Sequence, residues 1–134
     1  MPVIAERSTF YGANWEVGTS GVGTTLTATQ WLFADGSVST DTDTYYLLAN
    51  DVLYANVTMT FRRTDGGVVT YTVSVPPRAR VSVDPRSVPR LAVPGWFAVE
   101  VNVTNGVAIV AERATYHLAF PGWVRGSVSL GRRP

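Results

Sequence analysis

Polar and apolar residues alternate with a period of two through most of this chain, and that pattern decides the fold class. From Asn56 to Arg62 the apolar set is Val57, Met59 and Phe61, against Asn56, Thr58, Thr60 and Arg62. From Val69 to Val75 the apolar set is Val69, Tyr71, Val73 and Val75, against Thr70, Thr72 and Ser74. Successive strand residues face opposite sides, so each run reads as a half-buried strand. Thr64-Asp65-Gly66-Gly67 lies between them, and Asp-Gly favours the primed turn that closes a hairpin. A second hairpin is predicted between residues 97–103 and 107–116, across Asn105-Gly106. The run from Asp43 to Asn50 is apolar on both faces at its centre, as in a strand covered on both sides. Residues 25–34 and 78–83 add further strands. Asp84 to Pro94 holds three prolines, so it should cross between sheets as an irregular or short 3₁₀ segment. No window offers twelve residues of helical periodicity free of Gly, Pro or β-branched clusters. The prediction is an all-β chain: a two-sheet antiparallel β-sandwich, Ig-like or jelly-roll-like, of eight or nine strands.

The two ends of the chain repeat each other. Val3-Ile4-Ala5-Glu6-Arg7-Ser8-Thr9-Phe10 aligns without a gap on Ile109-Val110-Ala111-Glu112-Arg113-Ala114-Thr115-Tyr116. Trp15 followed by Gly18 to Gly23 then resembles Trp123 followed by Gly126 to Gly131, after a two-residue shift that a loop accommodates. The simplest account is a tandem array: residues 1–23 are the tail of a preceding repeat, and residues 24–131 are one complete repeat module. The alternative is one domain with internal pseudo-symmetry. Both readings give the duplicated segment a fixed structural task.

Within that segment Glu and Arg are neighbours and face opposite ways, so one of the two charges points into protein and needs a partner. The ion-pair candidates are Glu6, Arg7, Glu112 and Arg113. Asp35, Glu100 and Asp84 are possible partners for Arg113, and Arg78 and Arg80 for Glu112. A catalytic role for Glu112 has no support, because no second acid or positioned histidine can be argued beside it.

The duplicated strand, taken with Trp31-Leu32-Phe33-Ala34-Asp35-Gly36, resembles bacterial secreted and cell-surface repeat modules of unassigned function. Their repeats run W-x-F-A-E-G, then D-T-Y-L-L-L-A-N-P, an alternating hairpin, and a closing P-I-V-A-E-R-x-x-Y strand. The corresponding pieces here are residues 31–36, 43–50, 57–75 and 109–116, in that order over nearly the whole chain. Asp35 departs from the usual glutamate, and Asp51 from the usual proline. The resemblance implies location and architecture, namely modules strung along large exported proteins. It implies no catalytic residues.

Composition narrows the chemistry. All 11 basic residues are arginine, there is no cysteine, and His117 is the single histidine among 134 residues. Disulfides, thiolate nucleophiles, Cys-type zinc sites, lysine Schiff bases and lysine isopeptide crosslinks are thereby excluded. A net charge of +1 gives no reason to expect nucleic acid as a partner. No apolar run approaches the length of a membrane span, so no membrane insertion is expected, and no signal-type apolar region follows Met1. An exported protein would carry its targeting signal outside these residues. Asp41 and Asp43 are weak calcium candidates, but their spacing equally suits a solvated turn, and no metal or cofactor is expected. Asn56-Val57-Thr58 and Asn102-Val103-Thr104 match a glycosylation pattern while simply occupying the polar side of strands. Trp15, Trp96 and Trp123 are expected to cap the open ends of the sandwich with buried rings, whereas Trp31 belongs to the core. Exposed, the first three would be glycan contacts.

These readings converge on a non-enzymatic structural, spacer or adhesive module of an extracellular or cell-surface bacterial repeat protein. Its partners would be neighbouring repeats or identical subunits, reached through strand addition by residues 2–11. The alternative is a carbohydrate-binding module that meets surface polysaccharide through exposed tryptophans.

Overall fold

A computed structural model describes residues 3–11, 17–119 and 123–134. Eleven strands follow one another: β1 (Glu6–Tyr11), β2 (Val17–Val22), β3 (Gln30–Phe33), β4 (Ser37–Val38), β5 (Thr42–Asn50), β6 (Ala55–Arg63), β7 (Val68–Val75), β8 (Ala79–Val83), β9 (Gly95–Val103), β10 (Val110–Ala119) and β11 (Trp123–Leu130). A single 3₁₀ turn at Pro85–Ser87 is the one helical element among the described residues. It starts where the prolines predicted it. The Asp84 side chain accepts from the Arg86 amide at 2.9 Å, and the turn carries the chain from one sheet to the other.

The fold is an antiparallel β-sandwich. One sheet has the order β11-β10-β5-β8; the other runs β3-β9-β6-β7, with β4 paired to β9. Their inner faces meet over a core that includes Trp31, Tyr46, Leu48, Met59, Phe61, Phe97, Val99, Val101 and Ile109. These positions alternate in β5, β6 and β9, so the period-two pattern is the burial pattern. Phe33, Tyr46, Phe61 and Phe97 form a chain of edge-on ring contacts with centroids 5.2 to 6.0 Å apart. The Trp31 indole N–H donates to the Ile109 carbonyl at 3.0 Å, so the Trp-x-Phe strand is tied to the chain entering β10.

The first predicted hairpin is present. β6 and β7 pair from Ala55↔Val75 to Arg62↔Val68, around a turn in which Gly66 takes a positive φ of 88°. The second is not. β9 pairs with β3, β4 and β6, whereas β10 pairs with β5 and β11, so these two strands lie in different sheets. Asn105 explains the difference. Its side chain donates to the Tyr54 carbonyl at 2.7 Å and accepts from the Asn56 amide at 3.0 Å, holding the turn against the start of β6. Residues 107–109 then carry the chain across the end of the sandwich. The strand expected over residues 25–34 is shorter, being β3 plus a bridge at Ala28↔Ile109.

A third layer completes the molecule. β1 and β2 form a separate two-stranded sheet that lies on β11, against the outer face of the four-stranded sheet.

Candidate functional site

The repeat found in sequence is a repeat in structure. In β10–β11 the partners include Glu112↔Leu130, Arg113↔Ser129 and Tyr116↔Gly126. In β1–β2 the equivalent partners are Glu6↔Val22, Arg7↔Gly21 and Phe10↔Gly18. The first strands are offset by 106 residues and the second by 108, so the two-residue shift falls in the connection between them. The same closing hydrogen bond recurs: Gly23 donates to the Ala5 carbonyl at 2.8 Å, and Gly131 donates to the Ala111 carbonyl at 3.1 Å.

The outer face of the four-stranded sheet is built to be covered. Ala114 and Tyr116 are buried there, with Tyr45, Leu47 and Val128 packed around them as a second apolar cluster. This is why residues 43–50 are apolar on both faces: Tyr46 and Leu48 face the core, and Tyr45 and Leu47 face the second cluster. β1 and β2 approach closely enough that a Cβ on Gly126 would lie 3.0 Å from the Gly18 carbonyl oxygen. Arg7 reaches Glu112 with Nη1 2.8 Å from Oε2, both side chains being partly buried. Burial raises the pKa of the Tyr116 hydroxyl, and the Arg7 guanidinium acts in the opposite direction.

Both charges of the second Glu-Arg pair are thus accounted for. Arg113, on the inner face, bonds the Asp35 carbonyl at 2.6 Å and also the Asp35 carboxylate. Glu112, on the outer face, is held by Arg7 and not by Arg78 or Arg80. Arg80 is exposed on β8, and its charge is felt at Tyr116. Of the other acids considered for Arg113, Asp84 pairs with Arg86 at 3.0 Å and Glu100 with Arg62 at 3.4 Å. Glu6 is exposed on the outward face of the hairpin. Strand addition within this chain is absent among the described residues: β1 pairs with β2 alone, and β2 lies on β11.

The remaining candidates separate. Asp43 is buried and held by Arg86, while Asp41 is exposed and accepts from Thr40 Oγ1, so the structure does not join them into one site. No group of three or more metal-ligating side chains occurs among the described residues. His117 shares a hydrogen bond with Thr42 through Nδ1 at 3.0 Å. Trp15 and the side chain of Trp123 lie outside the described residues. Trp96 corrects an expectation: it is 59% exposed on β9 and does not bury its ring. Alternation puts Trp96 on the outer face, opposite to buried Phe97, on a sheet whose outer side also carries Thr58, Thr60, Thr70 and Thr72. Sequence reasoning missed one polar grouping altogether. The Tyr46 and Thr44 hydroxyls and Arg113 Nε are buried with no hydrogen-bond partner, side by side across the β5–β10 ladder.

No helix among the described residues is long and apolar enough to cross a membrane. No protein-family model matches the chain, and no curated protein matches it. Solved structures do. The fold is similar to that of Thermotoga maritima 1070, with a TM-score of 0.69 and 13% identity, over 78% of this chain and 93% of that one. It is also similar to the Anabaena sensory rhodopsin transducer, with a TM-score of 0.54 and 23% identity, over 68% of this chain and 86% of that one. At these identities the likeness is one of fold.

Proposed function

We propose that this chain is a non-enzymatic structural module that associates with neighbouring modules through its duplicated hairpin, as a spacer or adhesive part of an exported bacterial repeat protein. The observation that carries this reading is the β1–β2 hairpin lying on β11 at the outer face of the four-stranded sheet, with β2 close on Gly126 and Val128 and with Arg7 on Glu112. A sheet whose outer face is apolar at its centre requires cover, and a hairpin of the chain's own repeat provides it. The resemblance to surface repeat modules and the absence of lysine and cysteine fit a part that works through packing. Removing residues 1–23 tests the reading. The truncated protein should lose stability and self-associate through the uncovered face; a monodisperse protein of unchanged stability would refute it.

A second reading, carbohydrate binding, is favoured by one observation: Trp96 stands exposed on a polar, threonine-rich sheet face. An exposed indole is a stacking surface for a sugar ring. Polysaccharide pull-down with the parent protein and with Trp96→Ala decides it. Binding that survives the substitution removes Trp96 from the account.

A further inference from the structure

We infer that the free edge of β1, together with Val3, Ala5 and Gly23, is a half-site for a second unit equivalent to residues 24–108, for which residues 3–23 form the closing hairpin. This rests on the reading of the chain as a repeat module and names the partner that its hairpin fits.

Each position of the hairpin has a counterpart whose surroundings are visible. Ile109 and Ala111 are fully buried in the core, whereas their equivalents Val3 and Ala5 are exposed, Val3 by 86%. β10 is hydrogen-bonded on both edges, to β11 and to β5, with Val110↔Ala49 through His117↔Thr42 in register. β1 has β2 on one edge, and the other edge joins no named strand among the described residues. A strand edge of this kind is a template for pairing. The register fixes its partner: a β5-type strand, with the residue equivalent to Tyr46 opposite Arg7 and that equivalent to Thr44 opposite Thr9.

The glycines point the same way. At Gly131 an added Cβ would lie 2.9 Å from Phe33 Cζ and 3.0 Å from Trp31 Cβ, because the Trp-x-Phe strand packs directly on it. At the equivalent Gly23 the three atoms nearest to an added Cβ, 3.2 to 3.8 Å away, all belong to Ala5 of the same hairpin. The residues nearest to Gly131 are Trp31 and Phe33, and those nearest to Gly23 are not a Trp-x-Phe strand; in the second unit such a strand takes that place. In the completed unit, Arg7 turns from Glu112 to the counterpart of Asp35, as Arg113 does here. The two placements use the same face of the hairpin and exclude each other, so the hairpin is a two-position element.

The test is a fusion in which residues 24–108 are placed directly before Val3 of the full chain, reproducing the natural junction at Ile109. The upstream copy lacks its own closing hairpin; the downstream copy, complete in the same molecule, is the internal reference. Expected are resistance of the upstream copy to protease and amide exchange in β1 slowed by at least about tenfold relative to the parent chain. Ala5→Asp should abolish both effects, since its counterpart Ala111 is fully buried, while leaving the parent chain intact because Ala5 is exposed there. An upstream copy cleaved as an unfolded chain beside an intact downstream one overturns the inference, as does protection that survives Ala5→Asp. The parent chain reports on hairpin docking separately: unprotected β1–β2 amides there would count against the proposed function without deciding the fusion result.

Discussion

Gly36 closes the Trp-x-Phe-Ala-Asp-Gly motif, and the structure gives its reason as space. A Cβ at Gly36 would overlap the Tyr46 hydroxyl outright and come within 2.7 Å of Phe97 Cε2. Both rings are buried, and both belong to the chain of aromatic contacts at the centre of the sandwich, so neither can step aside cheaply. Gly36→Ala should therefore cost about 2–3 kcal/mol, at the upper part of the range for overpacking a core. Tyr46→Phe is the matching perturbation. The Tyr46 hydroxyl is buried without a hydrogen-bond partner, and burial pushes its pKa well above the ordinary phenol value. Its removal relieves an unsatisfied group, so the single variant should be neutral or more stable by about 1 kcal/mol. The double variant should recover about 1 kcal/mol of the Gly36→Ala loss beyond whatever Tyr46→Phe contributes alone, because one of the two obstacles is gone and Phe97 remains. Chemical denaturation gives each term, and thermal melts should move by about 4 °C for each kcal/mol in a chain of this size. The reasoning is refuted if Gly36→Ala matches the parent in stability. Simple additivity of the two substitutions, within about 0.3 kcal/mol, refutes it equally.

Other perturbations separate the layers. Met59→Ala, at a fully buried position in the middle of β6, should cost about 2–5 kcal/mol by urea denaturation, whereas Thr60→Ala on the outer face of the same strand should stay within about 0.5 kcal/mol. Arg86→Ala strips a guanidinium from the buried Asp43 carboxylate and should destabilise by about 1–3 kcal/mol, discounted because Arg86 is itself partly exposed. The Asp65 carboxyl is held below its ordinary pKa first by the Gly67 amide and then by Arg63. A depressed carboxyl pKa adds stability above the unfolded value and loses it as pH falls through the folded one. An NMR titration should therefore find Asp65 below the usual carboxylate range, and Arg63→Ala should move it only part of the way back. A full return would take the Gly67 bond out of the explanation.

Much of this architecture was legible locally. Alternation in residues 56–62 and 69–75, with Asp65-Gly66 between them, specified the hairpin that the structure shows, although only Gly66 of that pair takes a positive φ and the turn is not the primed one expected. The proline-rich stretch after Asp84 was recognisable as a crossing, and the duplicated Glu-Arg strand as a unit with a fixed task. Asp35 was among the partners foreseen for Arg113. The hairpin error was non-local, whereas the Trp96 error was open to local alternation. Asn105-Gly106 has the composition of a hairpin turn, yet the Asn105 side chain is spent on Tyr54 and Asn56, and the flanking strands go to different sheets. Trp96 sits beside Gly95 as a capping tryptophan might, but strand alternation turns it outward.

The sequence alone determined most of the strands, which side of each is apolar, and that one strand with its following glycine-rich segment occurs twice, because these follow from side-chain alternation and turn chemistry within a few residues; β2, β4 and β11 were not legible as strands. It also set what the duplicated strand requires, since neighbouring Glu and Arg face opposite ways and one of the two charges then points into protein. Tertiary structure alone decided that Arg7 answers Glu112, that Gly36 and Gly131 must stay bare, and that the β1–β2 hairpin lies on β11 and does not extend the edge of the four-stranded sheet. The reason is physical. A period of two says that a face must be buried, but the surface that buries it is chosen by packing between segments up to a hundred residues apart.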